Sequence, residues 1–303
     1  MTHFTVLVIG DNVEDQLAPY DENLNNNFCD CTDEVKKEYN NKVVSRVVLK
    51  NGQEIFKWSS HNEEDVIETK KVHVSEIYPT IEEFVDYYQM YEKVGDKFGY
   101  FHNNKAKWDW YLIGGRWTGA FKLKDNVPTS VGNIGEPGIM TSPAKEGFCD
   151  QSPKKYIDLE WMRNNKEREA ATKYDTVYAA IGNFDNFVNW ETVRDKMFPN
   201  DLTKAREFYN NQSQVKLTSK LIGFFENVDS YNIPREEYLK RARDSAISTF
   251  AVVKDGQWFE KGEMGWWAVV INEMEQQEWN TKFNELLDSI PDDTLLTMVD
   301  CHI

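Results

Sequence analysis

The residues best suited to chemistry lie in the segment 108–117, which reads Trp-Asp-Trp-Tyr-Leu-Ile-Gly-Gly-Arg-Trp. Gly114 and Gly115 can turn the backbone so that its N–H groups converge, and Arg116 adds a cation between aromatic walls. This pattern predicts an anion-binding site at Arg116. We favour the alternative, in which the tryptophans pack, Arg116 stacks or pairs with Asp109 and the glycines form a bulge, because paired acids or bases suited to catalysis are absent nearby.

The cysteines do not form a recognisable metal site. Cys29 and Cys31 are close in sequence, but zinc needs two more ligands, and Cys149 and Cys301 are far away along the chain. The five histidines share no metal-ligand spacing. We therefore expect reduced thiols in a cytosolic protein and no bound metal.

No motif for covalent or cofactor chemistry is present. The sequence contains no phosphate-binding G-x-x-x-x-G-K-[ST], no dinucleotide-binding G-x-G-x-x-G after the first strand and no G-x-S-x-G nucleophile elbow. The prediction is a protein without catalytic residues or cofactors that acts by binding and is not an enzyme.

The net charge of −16 is unevenly distributed. Residues 1–100 carry 20 acids and 10 bases, residues 101–250 carry 20 and 22, and residues 251–303 carry 11 and 3. Nucleic-acid binders need a basic surface, so we expect no direct contact with nucleic acid. An acidic surface can instead bind a basic partner protein, although acidity often serves solubility alone.

The chain shows no signal for a membrane or for secretion. No apolar run approaches the length of a membrane-spanning helix. The first residues lack the basic start and the cleavage site of a secretory signal. We therefore expect no membrane partner and a cytoplasmic location.

Strand patterns at both ends of the chain must position the residues discussed above. His3–Ile9 is apolar on both faces and predicts an interior strand, and residues 294–299 predict a returning strand. Asn51-Gly52 and Asp255-Gly256 predict hairpins. Thr80 with Glu83 predicts a helix start, whereas the polar residues 21–42 predict a loop.

Helical patterns concentrate in the middle of the chain, at 155–173, 191–198, 202–210 and 235–245. We predict the α+β class, with a mixed sheet formed by the N- and C-terminal segments and packed helices. We place an acidic α+β domain at 1–124 together with 249–303, and an inserted helix-rich subdomain at 125–248.

The predicted subdomain contains bulky side chains that could anchor a partner, because aromatic residues are enriched at interfaces. The alternative for each is a place in the small core of the subdomain. The tryptophans at 258, 266 and 267 are predicted to complete the main core. The interface candidates are Trp161, Phe208, Tyr209, Phe224 and Phe225.

Three stretches resemble a family of acidic proteins encoded by tailed bacteriophages: the opening Met1–Gly10 with Gln16–Tyr20, the block Trp108–Trp117 and the ending Pro291–Ile303. In size and acidity the chain is also similar to the Gabija anti-defence proteins. That resemblance implies an oligomeric inhibitor in the host cytoplasm, which envelops the host Gabija nuclease–helicase complex and blocks DNA binding or cleavage. It transfers no contact residues to this sequence.

Three hypotheses follow. In the first, a phage protein sterically blocks a host anti-phage complex and is a homo-oligomer. In the second, the acidic flanks mimic DNA in the basic groove of a host protein, so binding weakens steeply with salt. In the third, an enzyme binds a small anionic metabolite at Gly114-Gly115-Arg116, which requires polar groups to converge around Arg116. We rank them in that order.

Overall fold

The structure is a computed structural model and describes residues 2–88, 90–223, 227–264 and 270–303. The chain divides into two compact units. Unit 1 comprises residues 1–18 and 110–303, and unit 2 comprises residues 19–109. Unit 2 is thus inserted after the first strand and helix of unit 1.

Unit 1 begins with strand β1 (His3–Ile9) and helix α1 (Val13–Leu17), and the 3-10 turn Ala18–Tyr20 follows. Unit 2 continues the numbering with the elements β2 (Asn27–Asp30), α2 (Thr32–Asn41), β3 (Val43–Leu49), β4 (Glu54–Phe56), the 3-10 turn Glu63–Asp65, β5 (Val66–His73), α3 (Val74–Ile77), α4 (Ile81–Tyr88), β6 (Glu92–Val94) and β7 (Lys97–His102).

Unit 2 contains two three-stranded antiparallel sheets, in the orders β4-β3-β5 and β2-β7-β6. Helix α4 begins as expected, because the hydroxyl oxygen of Thr80 accepts a hydrogen bond from the Glu83 N–H at 3.2 Å. Phe84 and Val85 of this helix are buried. They pack in one apolar cluster with Val35, Val44, Phe56, Val74, Tyr78 and Phe98.

The prediction of a loop over 21–42 is wrong, because this segment contains β2 and α2. Helix α2 has a single fully buried apolar residue, Val35, with Tyr39 packed beside it one turn later. Two apolar positions in an Asn- and Asp-rich segment give little periodic signal, and the helix is stabilised by tertiary packing.

The remainder of unit 1 is helix-rich in the middle and strand-rich at its ends. Its elements are β8 (Trp110–Gly115), β9 (Phe121–Lys122), the 3-10 turn Thr129–Val131, β10 (Glu136–Pro137), β11 (Phe148–Cys149), β12 (Gln151–Pro153), the 3-10 turn Lys154–Tyr156, α5 (Leu159–Ile181), α6 (Trp190–Thr192) continued by a π-helical turn (Val193–Met197), α7 (Leu202–Asn211), α8 (Ser213–Ile222), the 3-10 turn Val228–Tyr231, α9 (Arg235–Asp244), β13 (Ala251–Lys254), β14 (Gln257–Glu260), β15 (Glu263–Met264), β16 (Val270–Ile271), α10 (Gln276–Ser289) and β17 (Leu295–His302).

The main sheet joins both ends of the chain. Its order is β10-β8-β17-β1-β13-β14, and β12 also pairs with β17. β1 runs parallel to β13 and antiparallel to β17, which makes the sheet mixed. The α+β class and the sheet formed by the N- and C-terminal segments are therefore confirmed. The β13–β14 hairpin turns at Asp255-Gly256, where both residues have positive φ.

The division of the chain differs from the predicted boundaries at 124/125 and 248/249. Residues 125–248 belong to unit 1, and the inserted unit is 19–109. The reason is a shared core: Ile157 and Ile247 pack in the same buried cluster as Leu7, Phe283 and Leu296. Composition and charge change along 125–248, but buried apolar residues at both ends of this region pack against the main sheet.

Within unit 1, the predicted helices appear as α5, α6, α7 and α9, and α8 was missed. The far part of the helical region has a small cluster of its own, in which Tyr174, Val177 and Tyr231 are buried. Among the described residues, no helix combines the length and apolar character that crossing a membrane requires.

Candidate binding surface at the Gly114–Gly115 turn

Strand β8 ends in a glycine pair whose backbone is left-handed, with φ of +80° at Gly114 and +53° at Gly115. A Cβ atom on Gly114 would lie 2.6 Å from Oδ2 of Asp150, and one on Gly115 would lie 2.4 Å from Cβ of Asp300. Conformation and space therefore both require glycine. The chain closes directly over two aspartates at this point.

The first of these aspartates, Asp150, is fully buried and accepts four hydrogen bonds. Its Oδ1 accepts from the N–H groups of Gly119 (2.6 Å) and Ala120 (3.1 Å). Its Oδ2 accepts from the Gly135 N–H and the Thr118 hydroxyl, both at 2.9 Å. The donors are neutral, so backbone and hydroxyl dipoles satisfy this carboxylate. It ties the turn after β8 to Gly135.

The second aspartate, Asp300 of β17, is also buried. Its Oδ2 accepts from the Arg116 N–H at 2.8 Å, and its Oδ1 lies 2.8 Å from Nδ1 of His3. The buried His302 stacks on Trp110, with ring centroids 4.9 Å apart. Strand β17, which carries Asp300 and His302, lies between β1 and β8 in the main sheet.

These contacts bear on the predicted anion site. The N–H of Arg116 binds Asp300, and the N–H groups of Gly119 and Ala120 bind Asp150. The two N–H groups between them donate to the carbonyl oxygens of Gly114 and Gly115. The protein's own carboxylates therefore use donors that a bound anion would need. The Arg116 side chain is exposed and forms no ion pair with any residue in the described ranges. Anion binding by its guanidinium stays a prediction.

The residues that follow form an exposed apolar loop. We call residues 133–141 the docking loop. Ile139 is 95% exposed and Met140 is 101% exposed, and Ile134 in the same loop is also exposed. Scattered surface apolar residues are ordinary, but two adjacent and almost completely exposed ones are unusual. Met140 also has a φ of +66°, which side-chain-bearing residues rarely adopt.

The docking loop is anchored on the N-terminal side of Ile139 and Met140, and the Thr141 N–H closes a turn over these two residues by donating to the carbonyl oxygen of Gly138 at 3.0 Å. Gly135 donates to Asp150, and Gly138 donates its N–H to the carbonyl oxygen of Gly115 at 2.8 Å. Strand β10 pairs in parallel with Gly114 and Gly115. A Cβ on Gly138 would lie 3.0 Å from the Arg116 nitrogen, so the loop lies against the turn. The exposed apolar side chains are therefore presented from an anchored backbone.

The docking loop is almost uncharged. From residue 126 to residue 144 the only charged residue is Glu136, in a chain of which 28% is charged. Depletion of charged residues is typical of the centre of protein–protein interfaces. Beside Ile134, a hollow of about 380 Å³ has Tyr111 and Ile113 in its wall. The loop and the hollow form one surface with both projecting and recessed apolar parts.

Three of the five predicted interface residues lie elsewhere in the described part of the chain, Trp161 on α5 and Phe208 and Tyr209 on α7. Trp161 is 39% exposed, and its ring centroid lies 5.9 Å from that of Phe148. Phe208 is 36% exposed and contacts Phe198. Tyr209 donates its hydroxyl to Asp229 at 2.9 Å, and burial raises its pKa well above the usual range. Within the described part of the chain, Trp161 makes no ring contact with the α7 pair.

Some predicted residues fall outside the described ranges. The interface candidates Phe224 and Phe225 are among them, as are Trp266 and Trp267. Trp258, the remaining tryptophan predicted for the core, packs edge-on against Phe4 with centroids 6.3 Å apart.

The cysteines form two groups. The Sγ atoms of Cys29 and Cys31 lie 3.8 Å apart, and both side chains are partly exposed. Cys149 and Cys301 are buried. Burial, with a smaller contribution from the neighbouring Asp150 charge, raises the pKa of Cys149 to about 12. In the described ranges, no three His, Cys, Asp or Glu side chains converge as metal ligands would.

Comparison with models of known protein families, with curated proteins and with solved structures found no match for the chain.

Sequence reasoning missed the docking loop and both structural aspartates. The loop had a signal, because the nineteen residues 126–144 contain a single charged residue, Glu136. Asp150 and Asp300 had none, because their hydrogen-bond donors come from positions far away along the chain.

Proposed function

We propose that this protein acts by binding a protein partner through the docking loop, without turnover. The observation that carries the proposal is the pair Ile139–Met140, almost completely exposed on a backbone anchored to Asp150 and Gly115. An anchored loop loses little conformational entropy on binding, so apolar contact at its tip contributes efficiently to affinity. Arg116 lies against Gly138 of the loop and supplies a residue type common at binding hot spots.

The charge of the chain suggests what the partner is like. A net charge of −16 attracts a basic protein at long range, whereas the uncharged loop can be desolvated at low cost. We propose a partner with a positively charged surface and an apolar pocket. The resemblance to phage anti-defence proteins suggests a host anti-phage complex as the partner. The first such complex to test is the Gabija nuclease–helicase complex in the host cytoplasm.

The test measures binding of the purified chain to a purified Gabija complex. We expect Met140→Asp to weaken binding by about 30-fold or more, which corresponds to about 2 kcal/mol at a hot spot. The matched control is Met90→Asp, because Met90 is also exposed, at 65%, and lies outside the docking loop. The control should bind like the original chain.

The possible results separate the parts of the proposal. No binding to the complex would reject this partner. Binding that Met140→Asp leaves unchanged would reject the docking loop. The DNA-mimic alternative predicts that binding falls steeply with salt and is insensitive to Met140→Asp, because exposed charge pairs are screened and apolar contacts are not.

A further inference from the structure

Helix α8 exposes a second apolar surface, which differs from the docking loop in charge. Val215 and Thr218 face inward and are buried. Leu217 and Leu221 lie four residues apart on the outer side and are 39% and 46% exposed. The apolar side of a helix normally packs against a core. Leu217 and Leu221 are exposed instead, so no element among the described residues covers them.

Two lysines flank these leucines. Lys216 and Lys220 are exposed, and neither forms an ion pair with a described residue. From residue 208 to residue 223 the chain contains no acid, although acids outnumber bases 51 to 35 overall. We call Lys216, Leu217, Lys220 and Leu221 the α8 face. It is basic and apolar in an acidic protein.

A surface of the opposite character lies between β14 and α10. A hollow of about 320 Å³ there is lined by apolar side chains, including Phe259, which is 48% exposed, and Leu286. Lys282 also lines it but pairs with Glu278 at 2.7 Å. Residues 273–293 carry seven acids and one base, and Glu285 is exposed next to Leu286. We call this the α10 hollow.

We propose that the α8 face of one molecule docks in the α10 hollow of a second copy of this chain. Leu217 and Leu221 would cover Phe259 and Leu286, and the lysines would face Glu285. Both surfaces then lose exposed apolar area, and unpaired charges of opposite sign meet.

The two surfaces are different, so the contact is head-to-tail. Head-to-tail contacts close into rings or continue as open chains, whereas a two-fold contact would use the same patch on both subunits. This property gives a sharp test, because a molecule with a defective α8 face still has an intact α10 hollow.

Sedimentation velocity across a concentration series tests the proposal with two variants of the full chain. Lys216→Glu together with Lys220→Glu removes the α8 face, and Glu285→Lys reverses the charge beside the α10 hollow. We expect each to weaken self-association by about tenfold or more, as charge reversal at an interface does. An equimolar mixture of the two should form a one-to-one dimer that does not grow.

Lys36→Glu with Lys37→Glu is the matched control, because it makes the same charge change at two exposed α2 lysines without ion pairs to described residues. It should associate like the original chain. A monomeric original chain, equal losses in the control, or a mixture that stays monomeric would overturn the proposal. None of these results affects the docking loop, whose test uses a different partner and different variants.

Discussion

We call Asp150 and the four residues that donate to it, Thr118, Gly119, Ala120 and Gly135, the Asp150 cluster. This cluster and the docking loop are neighbours that satisfy opposite requirements. Asp150 is completely buried, and its carboxylate accepts four hydrogen bonds. Ile139 and Met140 are almost completely exposed and cover nothing. The difference indicates that the buried polar contacts of Asp150 fix the backbone of the docking loop, and that this backbone holds the apolar side chains of Ile139 and Met140 in solvent. Such preorganisation lowers the entropic cost of binding.

The largest expected effect comes from Asp150→Asn. The amide keeps the size of the side chain, but its NH₂ group would face N–H donors at Gly119, Ala120 or Gly135. Leaving buried donors unpaired is costly, so we expect a loss of about 3 to 5 kcal/mol in the free energy of unfolding. Urea denaturation followed by circular dichroism measures it. A loss below about 1 kcal/mol would contradict a structural role for this carboxylate.

The next largest effect comes from Gly115→Ala, compared with Gly52→Ala. Both glycines have positive φ, +53° and +81°. A Cβ on Gly115 meets Asp300 at 2.4 Å, whereas one on Gly52 meets nothing within 4 Å. We expect Gly52→Ala to lower the free energy of unfolding by about 1 kcal/mol, from conformation alone, and Gly115→Ala to lower it by about 3 kcal/mol. Equal losses in thermal unfolding would show that the turn does not close tightly on Asp300.

Labelling of Cys149 reports opening of the Asp150 cluster. This thiol is buried, its pKa is raised to about 12, and Gly132 packs against it. In the original chain it should alkylate far more slowly than Cys29, because the thiolate is scarce and access requires opening. In Asp150→Asn we expect the rate at Cys149 to rise about 100-fold, as a local loss near 3 kcal/mol implies.

Cys301 is the internal control for that experiment. It is buried in β17, on the central part of the main sheet. Local opening of the cluster should raise labelling at Cys149 more than at Cys301. An equal rise at both positions, measured by mass spectrometry of the same digest, would mean that Asp150 stabilises the whole unit and not the turn in particular.

How much of this could be predicted depends on whether the determining interactions are local. The strand His3–Ile9, the Asp255-Gly256 hairpin and the helix after Thr80 follow from periodicity and turn chemistry within a few residues. Helix α2 and the unit boundaries could not be predicted in this way, because they depend on packing against elements that are distant along the chain. The anion prediction named the N–H groups of Gly114 and Gly115, whereas the N–H groups that bind Asp300 and Asp150 belong to Arg116, Gly119, Ala120 and Gly135, which no local pattern singles out.

The smallest expected effect is at the docking loop itself. Ile139→Ala with Met140→Ala removes side chains that are exposed in the free protein, so the free energy of unfolding should change by less than about 0.5 kcal/mol. The same double variant should lose most of its affinity for the partner, because truncated anchors cost about 2 kcal/mol or more. A stability loss above about 1 kcal/mol would mean that these side chains pack within the molecule. Asp150→Asn should show the opposite pattern. Its main effect should be a loss of stability, and any loss of binding should follow because the docking loop is less firmly anchored.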